Sequence, residues 1–447
     1  RNINLNQSVS RKARLAAVFE QVWRLSASLP AQNAASGYVA MAWISLLSIV
    51  TIPLYIRLLG PSEWGMVAAC ASLQIFSNFI DSGFSQIVPR WAAHEANNPE
   101  RLRQYIFLFR KLYIGLGLLL FLVLQASAGY LSHHWFQVIG QGRHELELMI
   151  RIISFQFLFQ FVNNLNIGLW IGLQRQVLAN ARTCGFGTLK HFAALIALMM
   201  WTPKGWLYAL VFATVACLEL GINSLTVNNI LGKGCQNVIS GSVALGPLLK
   251  EVSVLSSGIL VGLLVSQLDR IILSHTVSLA SFGIYMVVLS LALGLLSLQA
   301  PVSRAFFPII VQDIKVHGHV KAIHMRYMAR GVILTSALPA LLACLFAPQI
   351  LAVWLHNPRV ELIAITPLRL MLIAVALNSL ANCIYPLIIA KGQSKRILQF
   401  NLVALLLSVI VVLCLGTSWG LALGGAIWIS NGIVQSSLGM AWFIKNR

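Results

Sequence analysis

The sequence predicts an all-α polytopic membrane protein, with about twelve transmembrane helices as two six-helix lobes related by a pseudo-twofold axis along the membrane normal. Three observations lead there: an apolar composition, a lopsided placement of Lys and Arg, and an internal repeat. Of 447 residues, 58% are hydrophobic and only 10% charged, and the mean hydropathy is +0.79. Ordinary soluble domains do not have this make-up. A helix needs about 20 apolar residues to cross hydrocarbon. Runs of that kind fall near 34–58, 65–88, 109–130, 147–172, 185–201, 206–227, 252–274, 282–309, 329–352, 362–389, 398–416 and 419–443.

The formal charge of +20 raises nucleic acid as a partner, and its distribution argues against that. With both chain ends on one side of twelve spans, 25 of the 32 Lys and Arg fall on that side, Lys190 among them. Seven fall on the other: Arg57, Arg143, Arg151, Lys204, Arg270, Arg359 and Arg369. This is the positive-inside pattern, so both termini are expected in the cytoplasm. The seven cysteines contain no C-x-x-C pair and mostly lie inside apolar runs. They read as small apolar packers, with neither disulfide nor metal implied.

The internal repeat sets the domains. The stretch VPRWAAHEANNPERLRQYIFLFRKLYIGLG from Val88 parallels FPIIVQDIKVHGHVKAIHMRYMARGVILTS from Phe307. Pro89 and Pro308 are 219 residues apart, Arg110 and Arg330 220, Arg151 and Arg369 218, Arg57 and Arg270 213. Six spans per copy give both halves the same orientation. The expected divisions are a cytoplasmic amphipathic segment at 1–30, an N-lobe of spans 1 to 6 at 31–228, a cytoplasmic linker at 229–250, and a C-lobe of spans 7 to 12 at 251–447. The amphipathic reading rests on Leu15, Val18, Phe19, Val22 and Trp23 recurring beside Arg11, Lys12, Arg14 and Arg24. An ordinary solvated helix has the same pattern.

Polar side chains inside spans mark candidate sites, because a charge at the centre of a membrane helix costs about 2.5 to 3.5 kcal/mol on insertion scales. Gln74, Ser77, Asp81 and Ser85 share one face of span 2, and Tyr208, Glu219, Asn223 and Thr226 one face of span 6. Span 4 carries Gln156, Gln160 and Asn163, span 7 gathers Ser266, Asp269 and Arg270, and span 8 spaces Ser290, Ser297 and Arg304 at seven-residue steps. One such stripe is equally well an interhelical hydrogen-bonding seam. Five together point to a hydrated cavity between the lobes. Arg304 is the best cationic candidate, about two turns inside the basic end of its span. Arg57 and Arg270 close the first spans of their lobes, where anchoring and cavity roles are both open. Arg151 and Arg369 read as snorkelling anchors, and His133 and His134 as interfacial.

The motif PLYIRLLGPSEWG, residues 53–65, stands at the end of the first span. With FIDSGFSQIVPRWAA and SQLDRIILSHTVSLASFGIYMV downstream, it resembles the polysaccharide biosynthesis family of oligosaccharide-lipid flippases, in the multidrug/oligosaccharidyl-lipid/polysaccharide exporter superfamily. The residues carrying the likeness are Pro53, Leu54, Tyr55, Arg57, Leu59, Gly60, Pro61, Trp64 and Gly65, then Asp81, Gly83 and Arg90, then Gln267, Asp269, Arg270, Gly283 and Tyr285. Trp64 stands where tyrosine is commoner.

The resemblance implies a transporter without catalytic residues. Its cargo would be a polyprenyl-diphosphate-linked oligosaccharide, the precursor of O-antigen in lipopolysaccharide or of a similar surface glycan. It would be moved from the cytoplasmic to the outer leaflet of the bacterial inner membrane by alternating access. Arg304, Arg270 and Arg57 are then the expected diphosphate and glycan contacts, since Arg offers a bidentate fork to phosphate. Gln74, Ser77, Gln156, Gln160, Asn163 and Ser297 would supply cavity polarity. Asp81, Glu219 and Asp269 are candidates for coupling to H+ or Na+, or partners of the arginines. No cofactor is implied; membrane lipids and a glycan polymerase or chain-length regulator are the expected partners. Two other readings compete. A membrane glycan polymerase or ligase would need a sizeable outer loop, and the longest here, near 131–146, is short. A multidrug exporter of the same superfamily would favour acidic, aromatic sites for cations, against the arginines present.

Overall fold

The computed structural model describes residues 29–138, 142–231, 245–355 and 357–446. The expected amphipathic segment and most of the expected linker lie outside them. Twelve helical crossings account for nearly all of the described chain, and no strand is present among the described residues beyond one isolated bridge pair.

Spans 1 and 2 occupy residues 29–59 and 61–94, with a break at Gly60 and a looser turn at Ser72 and Leu73. Span 3 is Pro99–Tyr130, span 4 Gly142–Gly172, span 5 Gln176–Met200 and span 6 Gly205–Leu231. Span 7 is Leu245–Thr276; span 8 joins Leu279–Ser297 to Ala300–His317. Span 9 runs from Ala322 to Leu345 through a π-turn at Ile333–Ala337 and continues as Ala347–Leu355. Spans 10, 11 and 12 are Pro358–Ala390, Ser394–Leu415 and Ala422–Lys445. Eight stretches are long and apolar enough to cross a membrane on those grounds alone, one of them holding span 1 and the first half of span 2. Spans 4, 7 and 12 are the rest, and each carries a run of polar residues.

Local chemistry sets the ends. Asn98 caps span 3 by accepting from the Arg101 amide, Ser278 caps span 8 through the Ser281 amide, and Asn357 caps span 10 through the Val360 amide. Pro99 and Pro358 occupy first helical positions, where a missing N–H costs nothing.

The repeat predicted from sequence is a repeat of packing. In the first half span 4 rests on spans 2, 3 and 6, and span 1 on span 5. In the second half span 10 rests on spans 8, 9 and 12, and span 7 on span 11. The two lobes meet chiefly through spans 1 and 2 against span 8 and span 2 against span 7. The face where span 1 begins and span 12 ends is here the terminal face, and the opposite one the distal face.

The PLYIRLLGPSEWG motif builds the distal side of this junction. Gly60 adopts φ 78°, a left-handed conformation that L side chains rarely take, and Pro61 opens the next helical segment. Tyr55 is fully buried, its ring stacked 5.9 Å from that of Trp64, its hydroxyl 3.1 Å from Nδ1 of His191 on span 5. Glu63 accepts from Lys204 Nζ at 3.1 Å and from the Gly205 amide at 2.8 Å, which ties the start of span 2 to the span 5–6 turn. Hydrogen bonds to Glu145 and Glu63 raise the pKa of Lys204, so the lysine stays charged across the ordinary pH range. Gly65 then comes so close to span 8 that a Cβ there would stand 2.2 Å from the Leu279 carbonyl oxygen, and one at Gly283 would stand 2.9 Å from the Gly65 Cα.

Further inter-lobe bonds gather on the same side. Trp135 Nε1 donates to Ser274 Oγ at 3.0 Å, Gln137 Nε2 to the His275 carbonyl at 3.2 Å, and Trp354 Nε1 to the Ile49 carbonyl at 2.7 Å. On the terminal side the Tyr38 hydroxyl donates to the Pro301 carbonyl at 3.2 Å. The lobes are therefore drawn together at the distal face. Gly65→Val would place a branched side chain against backbone and should shift the population toward distal opening. Spin labels at Ser62 and Ser278 should report a longer distance in the variant, and an unchanged distance would show that the glycine pair does not hold the closure.

Candidate functional site

The residues singled out from sequence fall into four places. The first is a pocket of about 390 Å³ in the inter-lobe junction on the distal side. Spans 2, 3 and 7 form it, with Phe76, Phe79, Tyr130 and Trp135 among the lining side chains and Arg270 as its single charged member. Arg270 Nε is buried without a hydrogen-bond partner. Arg151–Glu147, Lys190–Glu219, Lys204–Glu63 and Lys204–Glu145 are ion pairs, and none engages Arg270. Its neighbour in sequence, Asp269, points elsewhere: fully buried, it accepts from the Tyr285 hydroxyl and, at 3.2 Å, from Trp428 Nε1. Asp269 thus pins span 7 to spans 8 and 12 and leaves its neighbouring guanidinium to the pocket.

The second place is the face of span 2. Asp81 accepts from the Tyr113 hydroxyl and from Asn164 Nδ2, each at 2.9 Å, and lies in none of the ion pairs above. Ser77 is buried and Gln74 half-buried on the same helix. The third is a seam inside the N-lobe. Glu219 accepts from Asn163 Nδ2 at 3.1 Å and pairs with Lys190 Nζ at 3.4 Å; Asn163 Oδ1 in turn accepts from Asn223 at 3.0 Å and Asn166 at 3.3 Å. Gln156, on the same span as Asn163, is buried with its carbonyl oxygen unpartnered, and Gln160 one turn on is half-buried. The spans 4 and 6 stripes thus meet each other, at Asn163 and Glu219, inside the lobe.

Lys190 corrects the charge count. The charge count put it with a loop although it lies five residues inside the apolar run at 185–201; span 5 starts at Gln176, and fourteen residues at about 1.5 Å each put Lys190 some 21 Å into the helix. Its side chain is 14% exposed. An ammonium there is tolerable because a carboxylate faces it.

The fourth place is the terminal half of span 8. Arg304 is exposed and belongs to none of these ion pairs; Ser297 is half-buried, its hydroxyl bonded back to the Gly294 carbonyl at 2.7 Å. Because span 8 continues to His317, Arg304 stands thirteen residues from its end, deeper than the two turns expected. Arg57 is exposed two residues before the end of span 1. The three arginines are therefore not one cluster. Arg270 stands in the distal half and Arg304 about 37 Å along span 8 from Leu279, taking 1.5 Å per residue. Two of the four positions gained partners that pattern alone does not show: Tyr113 and Asn164 around Asp81, Tyr285 and Trp428 around Asp269. Arg151, read as an anchor, pairs with Glu147 one turn earlier at 2.7 Å. Among the described residues no group of His, Cys, Asp and Glu is placed to hold a metal ion.

Two pseudo-repeated six-helix lobes thus meet at a junction whose pocket holds one charged side chain, Arg270, which is in none of these ion pairs. The model of the polysaccharide biosynthesis protein family matches residues 31–313, more than half of the chain, and the chain belongs to that family. Its fold is that of the multidrug/oligosaccharidyl-lipid/polysaccharide exporters. The lipid II flippase MurJ, in an inward closed conformation, superposes with a TM-score of 0.70 at 14% identity, covering 92% of this chain and 88% of that one. The MATE multidrug transporter DinF-BH gives 0.68 at 15% identity over 93% and 95%. A superfamily transporter from Pyrococcus furiosus, described as having a binding pocket of reverse polarity, gives 0.56 at 14% over 93% of each. No curated protein matches by sequence. The chain is thus a multi-pass membrane protein of the polysaccharide biosynthesis protein family with this exporter fold.

Removing one partner of the buried Lys190–Glu219 pair strands the other charge, a loss of about 3 to 5 kcal/mol for buried pairs. Lys190→Met and Glu219→Gln should each lower the thermal midpoint of the purified protein by several degrees. The double variant should recover most of that loss, because it strands no charge.

Proposed function

We propose that this protein is a transporter, a flippase for polyprenyl-diphosphate-linked oligosaccharide, the precursor of O-antigen or a related surface glycan. It would lie in the bacterial inner membrane with the terminal face, and so both chain ends, in the cytoplasm, and carry its cargo to the outer leaflet. The observation carrying this reading is the buried, unpartnered Nε of Arg270 in an otherwise apolar inter-lobe pocket. A fixed cation beside aromatic and aliphatic walls complements an anion joined to a polyprenyl chain, with the fork engaging phosphate oxygens and the walls taking isoprene units. A cationic drug would be repelled by the same site. Family membership and the fold shared with a lipid flippase support the choice.

In the transport cycle the distal closure seals the cargo from the outside while the terminal side admits it. Arg304, in the terminal half of span 8, meets the diphosphate first, and Arg270 receives it in the distal half. Rocking of the lobes exchanges the two sides around this path. Asp81 serves coupling to H+ or Na+ best of the three acidic candidates. Glu219 already has Lys190 as its counter-ion; Asp269 and Asp81 both have neutral partners, but Asp269 is fully buried whereas Asp81 is half-buried and open to an incoming ion.

The charge series at Arg270 tests the substrate reading. In a flippase-deficient strain, with membrane protein levels measured alongside, Arg270→Lys should restore part of the surface glycan and Arg270→Glu none, since lysine keeps charge without the fork. Equal restoration by the Ala, Lys and Glu forms would remove Arg270 from the path. Asp81→Asn should abolish the dependence of transport on pH or sodium; retained ion dependence at normal rates would make Asp81 a structural partner of Tyr113.

A further inference from the structure

A second cavity lies far from the inter-lobe junction, at the terminal face of the C-lobe. It measures about 500 Å³ and is bounded by the start of span 9 and the ends of spans 10 and 12. Its wall is apolar, with Met325, Leu387 and Phe443 among the contributors, and its rim carries Arg326, Lys391 and His319 with no acidic residue. Lys391 is held in place: its Nζ donates to the Asn446 carbonyl at 2.7 Å and stands 5.8 Å from the centre of the Trp442 ring, whose own Nε1 donates to Gln393 at 2.8 Å. The acidic side chain nearest in sequence, Asp313, is occupied by His324 and the Lys321 amide and so leaves the rim cations alone.

We infer that this cavity is a binding site for an anionic phospholipid of the leaflet at the terminal face, with the phosphate at Arg326 and Lys391 and an acyl chain against the Met325, Leu387 and Phe443 wall. Its position supports that occupant. The cavity opens where three membrane-crossing helices end, which is the depth of lipid headgroups, and a basic pocket between helices there matches an anionic headgroup. Arg326 supplies a fork and Lys391 a point charge, the pair that grips a phosphodiester from two sides. The chain's own segments outside the described residues do not suit it. Residues 1–28 carry five Arg and Lys against one Glu, and 232–244 carry Lys233 and no acid. An acidic peptide would satisfy the rim and leave the apolar wall unmatched. The site is separate from the transport path, sharing no residue with the inter-lobe pocket.

Native mass spectrometry of the full chain released from nanodiscs tests the site, with equal phosphatidylglycerol and phosphatidylcholine in the bilayer. The intact protein should retain one phosphatidylglycerol at least tenfold over phosphatidylcholine. Arg326→Glu with Lys391→Glu should lower retention about tenfold. Ala329→Trp, which fills the cavity without touching its charge, should do the same, while Lys395→Glu, an exposed cation on the same face outside the cavity, should leave it unchanged. Inorganic phosphate at millimolar concentration should not displace the lipid. Equal retention of the two lipids, retention by Ala329→Trp, an equal loss in Lys395→Glu, or displacement by inorganic phosphate would each overturn the proposal.

Discussion

The backbone contact between Gly65 and span 8 is the constraint on which the arrangement of the lobes depends. Two helices come this close only where neither offers a side chain, and Gly65 and Gly283 supply both bare surfaces. That approach brings the start of span 2 against the start of span 8. It also shapes the pocket behind, because the loosened turn at Ser72 and Leu73 and the span 3 end fall beside span 7. The short PLYIRLLGPSEWG motif is thus mainly architectural. Gly60 turns the chain, Glu63 ties it to Lys204, Tyr55 and Trp64 stack to stiffen the hairpin, and Gly65 meets the other lobe.

The polar groups inside the membrane divide by whether protein already satisfies them. In hydrocarbon an unpaired charge or amide costs several kcal/mol, so each must find a partner or face water or cargo. Lys190 and Glu219 find each other, and Asn163, Asn166 and Asn223 close the network around them. One oxygen of Asp269 is taken by Tyr285 and Trp428, and its Oδ1 is buried without a partner. Arg270 lies in none of the ion pairs and lines a pocket, which is what makes it the cation of the proposed site rather than of a seam. A polar stripe read along one helix cannot make this distinction, since a seam and a cavity wall have the same periodicity.

Both cavities follow one physical pattern, an apolar wall with cations at its edge, and their different locations give them different roles. The inter-lobe pocket lies between the two lobes, so in the proposed transport cycle whatever binds there is moved. The terminal-face cavity lies within a single lobe, among spans 9, 10 and 12, and whatever binds there travels with that lobe.

Much was legible from sequence alone because hydrocarbon imposes rules that a single chain must obey locally. Span count, the two-lobe repeat and the family likeness are written in apolar run lengths, in the 213 to 220 residue offsets of Pro and Arg landmarks, and in the Pro53 to Gly65 motif. Arg270 was named as a site residue on the same basis. The tertiary structure alone decided which polar residues were spent. Tyr113 and Asn164 reach Asp81 from 32 and 83 residues away, Trp428 reaches Asp269 from 159, and Glu219 neutralises a lysine that the charge count had assigned to a loop. Such pairings depend on how helices are rotated against each other, and rotation is set by close packing at positions such as Gly65, Gly172 and Gly425 rather than by the hydropathy of any one span.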